Sequence, residues 1–370
     1  MLRPLSIAAA VTGVATLLMI ACSGSFGPTT ATFQGPEQAS SNDGPTVTPQ
    51  ESGTDKRLQA VSPVNASVVW ASGVGGTFVV TVDGGKNWKP GVVPGAEELQ
   101  FRDVQGVSAK EAYLMSADTG TSSRIYKTRD GGATWTLQFQ NQISAAFYDC
   151  FAFWTPNHGI AFSDAVNGRF PGIKTTDGRS WRDIGGQMPE AQPGEAAFAA
   201  SGTCVATQGG KRAWIATGAA AKARILATTD GGATWKAYDT PIVQGTASSG
   251  GFSVAFRDPF HGILAGGELD PALPQGPNVA VSSDGGKSWS IDDIAQNPFP
   301  GAIFGLSYVP GFGQRTVVAT GPGGTAWSRN EGHTWTNLPA DVTGFWAVAF
   351  AGRKAGWLVG TEGRILKLSF

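Results

Sequence analysis

Residues 58–370 read as an all-β chain folded into a seven-bladed β-propeller, and three observations lead to that expectation. One eight-residue pattern recurs, as TVDGGKNW at 81–88, TRDGGATW at 128–135, TTDGGATW at 228–235 and SSDGGKSW at 282–289. Two weaker copies are TTDGRSW at 175–181, one residue short, and SRNEGHTW at 328–335, with Asn330 in place of aspartate. The marker residues Asp83, Asp130, Asp177, Asp230, Asp284 and Asn330 stand 47, 47, 53, 54 and 46 residues apart, the spacing of a repeated supersecondary unit. Second, each copy follows a pair of apolar segments, such as AYLMSA then RIYKTR, or AWIATG then RILATT, whose alternation predicts strands with one buried face. Third, 52 glycines and 12 tryptophans beside only 15% charged residues describe many short strands joined by tight turns.

The remaining strands follow in order. A further apolar segment precedes most pairs, in FRDVQGV, FYDCFAFW, FSVAFRD, FGLSYV and FWAVAF, and another is expected after each tryptophan. Four strands per unit and seven units make the propeller. The seventh unit, 356–370, has its strand pair, but the chain stops where its box would begin. Residues just before Leu58 are expected to supply that blade's outer strand and close the ring.

Each box is explained by the turn between third and fourth strands. Paired glycines reach positive φ, the aspartate accepts hydrogen bonds from the turn's own amides at about 1 kcal/mol each, and the tryptophan wedges an apolar face beneath. The pairs Asp83 and Trp88, Asp130 and Trp135, Asp177 and Trp181, Asp230 and Trp235, Asp284 and Trp289, Asn330 and Trp335 are therefore read as scaffold.

The first 57 residues are of another kind. Arg3 followed by the apolar run Leu5–Ala21, 17 residues diluted by Ser6, Thr12, Gly13 and Thr16, is short for a permanent span and reads as a signal peptide over 1–21. The run ends in MIACSG, similar to a lipobox, which makes Cys22 the expected lipidation site; the other reading is an ordinary signal peptide with a coincidental cysteine. Residues 22–57 are rich in Gly, Pro, Ser and Thr and read as a flexible tether. An exported body, periplasmic or at the cell surface and lipid-anchored to a membrane, is the expectation. A formal net charge of -1, from 27 basic and 28 acidic residues, gives no reason to expect nucleic acid as a partner.

The boxes resemble the S/T-x-D-x-G-x-T-W pattern of Asp-box, or BNR, repeats, found in sialidases, sortilin-like receptors and some glycoside hydrolases. The fuller unit, FRD…HGILAGG followed by a box, more closely resembles the photosystem II stability and assembly factor family and its bacterial relatives, over roughly residues 58–370. That resemblance implies a non-enzymatic scaffold, a monomer without cofactor, that binds a membrane protein or complex. The same repeats leave a second class open, a sialidase-like glycoside hydrolase or an oxidoreductase-labelled relative.

A sialidase needs three arginines, a tyrosine with a glutamate partner and an acidic proton donor. Arg102, Arg257, Asp103 and Tyr308 are the nearest residues to that set, but FRDV lacks the family's Arg-Ile-Pro, so no catalytic residue is assigned. His158, His261 and His333 are far apart in sequence at equivalent loop or box positions, a turn pattern rather than a metal site. GVGGTF at 73–78 joins two strands and lacks the helix of a phosphate fingerprint. Cys150 and Cys204 each fall eight residues before the following strand, on inner strands of neighbouring blades, where an oxidising compartment would join them; two free buried thiols are the alternative.

Propeller sites gather where loops meet at the channel mouth, near the starts of the inner strands. AFYDC from 146, GEAAFAASGTC from 194 and GTASSGGFS from 245 are unusual there, so Asp149, Glu195, Ser201 and Ser249, with basic Arg102, Arg169 and Arg257, are candidates for binding a partner or ligand. The alternative is that their Ser and Gly residues ease packing at the axis.

Overall fold

The computed structural model describes residues 44–370; the expected signal peptide and Cys22 lie outside the described residues. Seven antiparallel sheets follow one another along the chain. Blade 1 comprises Leu58–Pro63, Val69–Gly73, Thr77–Thr81 and Lys89–Val92, and blade 2 comprises Phe101–Gly106, Ala112–Ser116, Arg124–Thr128 and Thr136–Gln140. Blade 3 starts at Tyr148–Thr155, blade 4 at Val205–Gln208, blade 5 at Ser249–Phe256, blade 6 at Gly305–Tyr308 and blade 7 at Phe345–Gly352.

Blade 7 is completed by the N-terminal strand Thr46–Gln50, which pairs antiparallel with Ile365–Ser369, Thr46 opposite Ser369 and Gln50 opposite Ile365. This closes the ring as the repeat requires. It also corrects the tether: residues 46–50, placed in it by composition, are a strand of the propeller, because TVTPQ finds an unpaired strand to complete.

The core lies between blades. One cluster joins Trp70 and Phe78 of blade 1 to Phe101, Leu114 and Tyr126 of blade 2, and the others are built alike. The second strands of blades 1, 2, 5, 6 and 7 are buried throughout, since both faces of a blade are covered by neighbours. One-faced alternation was thus the wrong expectation for these strands.

Blade 5 departs from four strands: only Ser249–Phe256, Gly262–Glu268 and Val279–Ser282 pair as strands. After Trp289 the chain turns through Asp293 and Asn297, both at left-handed φ, so it cannot run on as a strand. The edge is satisfied otherwise. Ser290 exchanges both backbone bonds with Val281, and the Gln296 amide accepts from Asn278 N and Val279 N while donating to Val279 O at 3.0 Å.

Each blade has a loop end, where blades connect, and a box end, where the first turn and the box meet. Gly84, Gly131, Gly231, Gly285 and Glu331 each donate their box amide to the first turn of their own blade. Within a regular box Thr81 Oγ1 donates to Asp83 Oδ1 at 2.8 Å and accepts from Gly85 N at 2.9 Å, while Asn87 N donates to Asp83 Oδ1 at 3.0 Å. Asp130, Asp230 and Asp284 repeat the arrangement. These bonds hold the carboxyls of Asp83 and Asp130 down to about 2.

Candidate functional site

The first strands of five blades carry a β-bulge near the loop end, and the extra residue is Gln59, Arg102, Asp149, Phe252 or Trp346. A bulge re-aims one side chain, here in the same place blade after blade. Phe252 lies 6.0 Å from Phe304, Phe304 lies 5.0 Å from Trp346, and the Arg57 guanidinium sits 4.5 Å above the Trp346 ring. One side of the axis is therefore aromatic, from blades 5, 6 and 7, and the other polar, from blades 1, 2 and 3. Gln59 is fully buried with neither amide atom hydrogen-bonded.

Blade 4 has no bulge, and the segment before its first strand crosses the axis instead. Ala197 N donates to Asp164 Oδ1 at 3.0 Å in blade 3, and Ala199 O accepts from Arg102 at 3.4 Å in blade 2. Ser201 Oγ reaches Phe304 O at 2.6 Å before blade 6, and Thr203 O accepts from Val254 N in blade 5. Phe198 packs 4.1 Å from Phe252. The stretch 197–203 is a plug touching four other blades, and apart from Phe198 it is made of small residues. Gly202 shows the limit: a Cβ there would meet the Asp103 carboxyl.

The plug is pinned at its end. Cys150 and Cys204 are joined as a disulfide with their Cα atoms 6.0 Å apart, both fully buried. A bond across 54 residues contributes about 4 kcal/mol in the chain-entropy picture.

Beside the plug lie two buried carboxyls, Asp103 and Asp149, and the half-buried Asp164. Asp103 accepts from Val104 N and Phe151 N, both at 2.8 Å, and burial pushes its carboxyl well up. Asp149 is pushed well up by burial and by the charge of Asp164, while Arg102 opposes the shift. Asp164 is raised to about 6 by burial. The charges of Asp149 and Asp164 oppose each other, so ionising both carboxyls is costly.

The sequence-selected residues separate. Arg102 and Asp149 share this axial cluster, the Arg102 guanidinium being held by Gln100 Oε1 at 2.9 Å. Ser201 belongs to the plug. Glu195 is buried and spent on Arg224, on Thr217 Oγ1 at 2.7 Å and on Gln192 N at 2.9 Å, and Ser249 Oγ is buried and bonded to Thr246 Oγ1 at 2.9 Å. Arg169 is exposed in the tight turn Val166–Arg169.

Arg257 is the correction. It follows the last residue of its strand, so it stands at the box end, where Nε meets Glu331 Oε1 and NH1 meets Asp258 Oδ2, each at 2.6 Å. Tyr308 OH donates to Glu331 Oε1 at 2.8 Å, and Arg315 Nε donates to Glu331 Oε2 at 2.9 Å. Arg257 and Tyr308 thus do meet a glutamate, but one whose oxygens are taken and whose carboxyl is held below its usual range by these partners, while burial drives the Tyr308 phenol up. No group of this network is a ready nucleophile. Arg102 and Asp103 are at the other end, so the four do not form one site. Among the described residues no three His, Cys, Asp or Glu are grouped to hold a metal ion.

Sequence reading missed Gln59, Phe252, Phe304 and Trp346 at the axis. It also missed lysines that tie blades together: Lys127, Lys174 and Lys367 donate to the box carbonyls of Gly178, Gly231 and Gly84 in the next blade, at 3.1, 2.7 and 3.0 Å.

Comparisons with known proteins agree on the fold. No protein-family model and no curated protein sequence matches the chain. Among solved structures, YCF48 bound to a D1 peptide is similar with a TM-score of 0.62 and 15% identity, covering 89% of this chain and 96% of that one. YCF48 from Cyanidioschyzon merolae gives 0.58 and 18%, over 87% and 98%. A GH74 xyloglucanase from Xanthomonas campestris gives 0.55 and 15%, covering 86% of this chain and 53% of that one. The chain shares their propeller architecture.

Proposed function

We propose that this protein is an exported, membrane-tethered and non-enzymatic scaffold of the Asp-box type, which binds a segment of a partner protein as an assembly factor does. The observation that carries this reading is the plug. A propeller enzyme needs open space at the axis for its substrate, and here residues 197–203 fill it while Glu195, Ser201 and Ser249 are spent on internal hydrogen bonds. What stays accessible around the plug is a rim of side chains, Arg57, Arg102, Phe198 and Trp346, which suits an extended polypeptide lying across it. The fold likeness to a YCF48 captured with a peptide supports the same class of partner. Lipidation at Cys22 would hold the body near its client.

The test is co-purification from native membranes in mild detergent, with a C-terminal tag, comparing the wild type with Cys22→Ala and with Arg102→Ala plus Trp346→Ala. One stoichiometric membrane partner, lost in the double variant, is the expected result. Recovery of the protein alone from both wild-type membranes and cross-linked cells overturns the scaffold reading. A Cys22→Ala protein that keeps its partner and, when purified without it, still sediments with membranes would keep the scaffold and remove the lipid anchor.

A further inference from the structure

The box of blade 3 is the short one, yet its Gly178 keeps the contact with the preceding blade that Gly84 and Gly231 make in regular boxes. Gly178 N bonds to Thr175 Oγ1 at 3.0 Å, the role that second glycines play elsewhere, so the first glycine is the one deleted. The Gly178 carbonyl then faces blade 2 and accepts from Lys127 Nζ at 3.1 Å, Tyr113 OH at 3.3 Å and Gln138 Nε2 at 3.3 Å.

Three features mark the neighbouring surface. A cavity of about 590 Å³ opens there, lined by Lys127, Arg129 and Arg179 with Thr134, Thr136, Leu137 and Gln138, and no carboxylate lines it. Cations at this junction outnumber the one acid that pairs with them: Glu111 Oε1 is 2.6 Å from Lys127 and 3.9 Å from Arg129, while the Arg179 guanidinium has no hydrogen bond or ion pair among the described residues. The aspartates of the flanking boxes, Asp130 and Asp177, already accept from Thr134 N, and from Arg179 N and Ser180 N. Finally, Gln138, which lines the cavity, spends its amide nitrogen on Gly178, and its Oε1 is left without a partner, buried just behind the cavity wall.

A wall that offers two guanidinium forks beside one waiting acceptor asks for a ligand of matching parts. We propose that the cavity between blades 2 and 3 at the box end binds the phosphate or sulfate ester of a polyol, such as a sugar phosphate or a sulfated saccharide. Arg129 and Arg179 grip the tetrahedral oxyanion, with Thr136 as a further donor, and a ligand hydroxyl donates to Gln138 Oε1 once that amide turns out into the cavity. A bare inorganic anion would fill little of 590 Å³ and leave that acceptor unmet.

Isothermal titration of the intact propeller at about 25 mM salt tests this, with glucose 6-phosphate, glucose 6-sulfate, inorganic phosphate and glucose as probes. The expected result is saturable binding of at least one ester, several-fold tighter than inorganic phosphate, with no binding of glucose; which ester wins tells phosphate from sulfate. Arg129→Gln with Arg179→Gln should weaken the ester by about tenfold or more while leaving the melting temperature within a few degrees, as both side chains are exposed. Gln138→Leu should erase the preference for ester over inorganic anion. Absence of saturable binding by both esters overturns the site, as does ester affinity unchanged in the double arginine variant. Equal affinity for ester and inorganic phosphate overturns the assignment of Gln138.

Discussion

At the box end Asp83, Asp130, Asp177 and Asp230 stand in water and accept amide and hydroxyl hydrogen bonds, which hold their carboxyls well below the usual range. At the loop end Asp103, Asp149 and Asp164 are packed beside the plug, and burial drives theirs up. One residue type therefore serves as a charged turn staple at one end and, at the other, as a packed carboxyl whose ionisation burial resists. Solvent access decides between them, since Asp103 and Asp164 have backbone donors as the box aspartates do.

Substitution at the axis should break this contrast most visibly. Asp103→Ala strands two buried amides, on Val104 and Phe151, and should cost about 3 kcal/mol in urea unfolding, whereas Asp103→Asn keeps one acceptor and should cost roughly 1 kcal/mol. An equal loss in both variants would mean that packing, not hydrogen bonding, sets the role of Asp103.

The two ends should also respond to pH with opposite signs. The folded pKa of Asp164 lies above its unfolded value, near 6 rather than 3.8, so its contribution is fully present below about pH 4 and is lost as pH rises through 6. The folded values of Asp83 and Asp130 lie below the unfolded one, so their contribution is present above pH 4 and is lost toward pH 2. Urea midpoints of Asp164→Asn should fall less between pH 4 and 6 than those of the wild type, and Asp130→Asn should flatten only the more acidic limb. Curves that stay parallel to the wild type would refute this division.

Smaller effects belong to single boxes. Asp130→Ala removes an acceptor shared by Thr128 and Thr134 in an exposed turn and should lower the urea midpoint by less than Asp103→Asn does. Asn330→Asp restores the regular pattern in blade 6, and should change stability by at most about 0.5 kcal/mol, because the new charge stands next to Glu331. A larger gain would mean that the Glu331 network shields it more than its partners suggest.

The repeat was legible because each box is self-contained: threonine, aspartate and two glycines interact within six residues, so the pattern survives in sequence. The departures at TTDGRSW and SRNEGHTW were also visible, but their meaning was not. Gly178 and Glu331 act on the preceding blade, through Lys127 and through Arg257, partners 51 and 74 residues away. The axial cluster was half visible for the same reason. Arg102 and Asp149 drew notice as charges, while Gln59 and Trp346 looked like ordinary strand residues. A shared signal exists, since LQAV, FRDV, YDCF and FWAV each set the bulged residue after a large apolar or aromatic one. The plug had no signal of its own: Ala, Ser and Gly say that a segment is narrow, and only the closed ring says that the axis needs one.

Closure by Thr46–Gln50 bears on how the molecule comes to exist. The first strand of the propeller to be synthesised is paired with the last, so nothing seals the ring until Ser369 has been made. Five residues must find partners more than 300 positions away, a slow, non-local step that follows the formation of the blades themselves. A circular permutant carrying residues 44–57 after Phe370 by a short linker, and beginning at Leu58, turns that search into a hairpin. It should refold faster than the parent in the final phase, with an unfolding rate that changes little, and stopped-flow tryptophan fluorescence would read both.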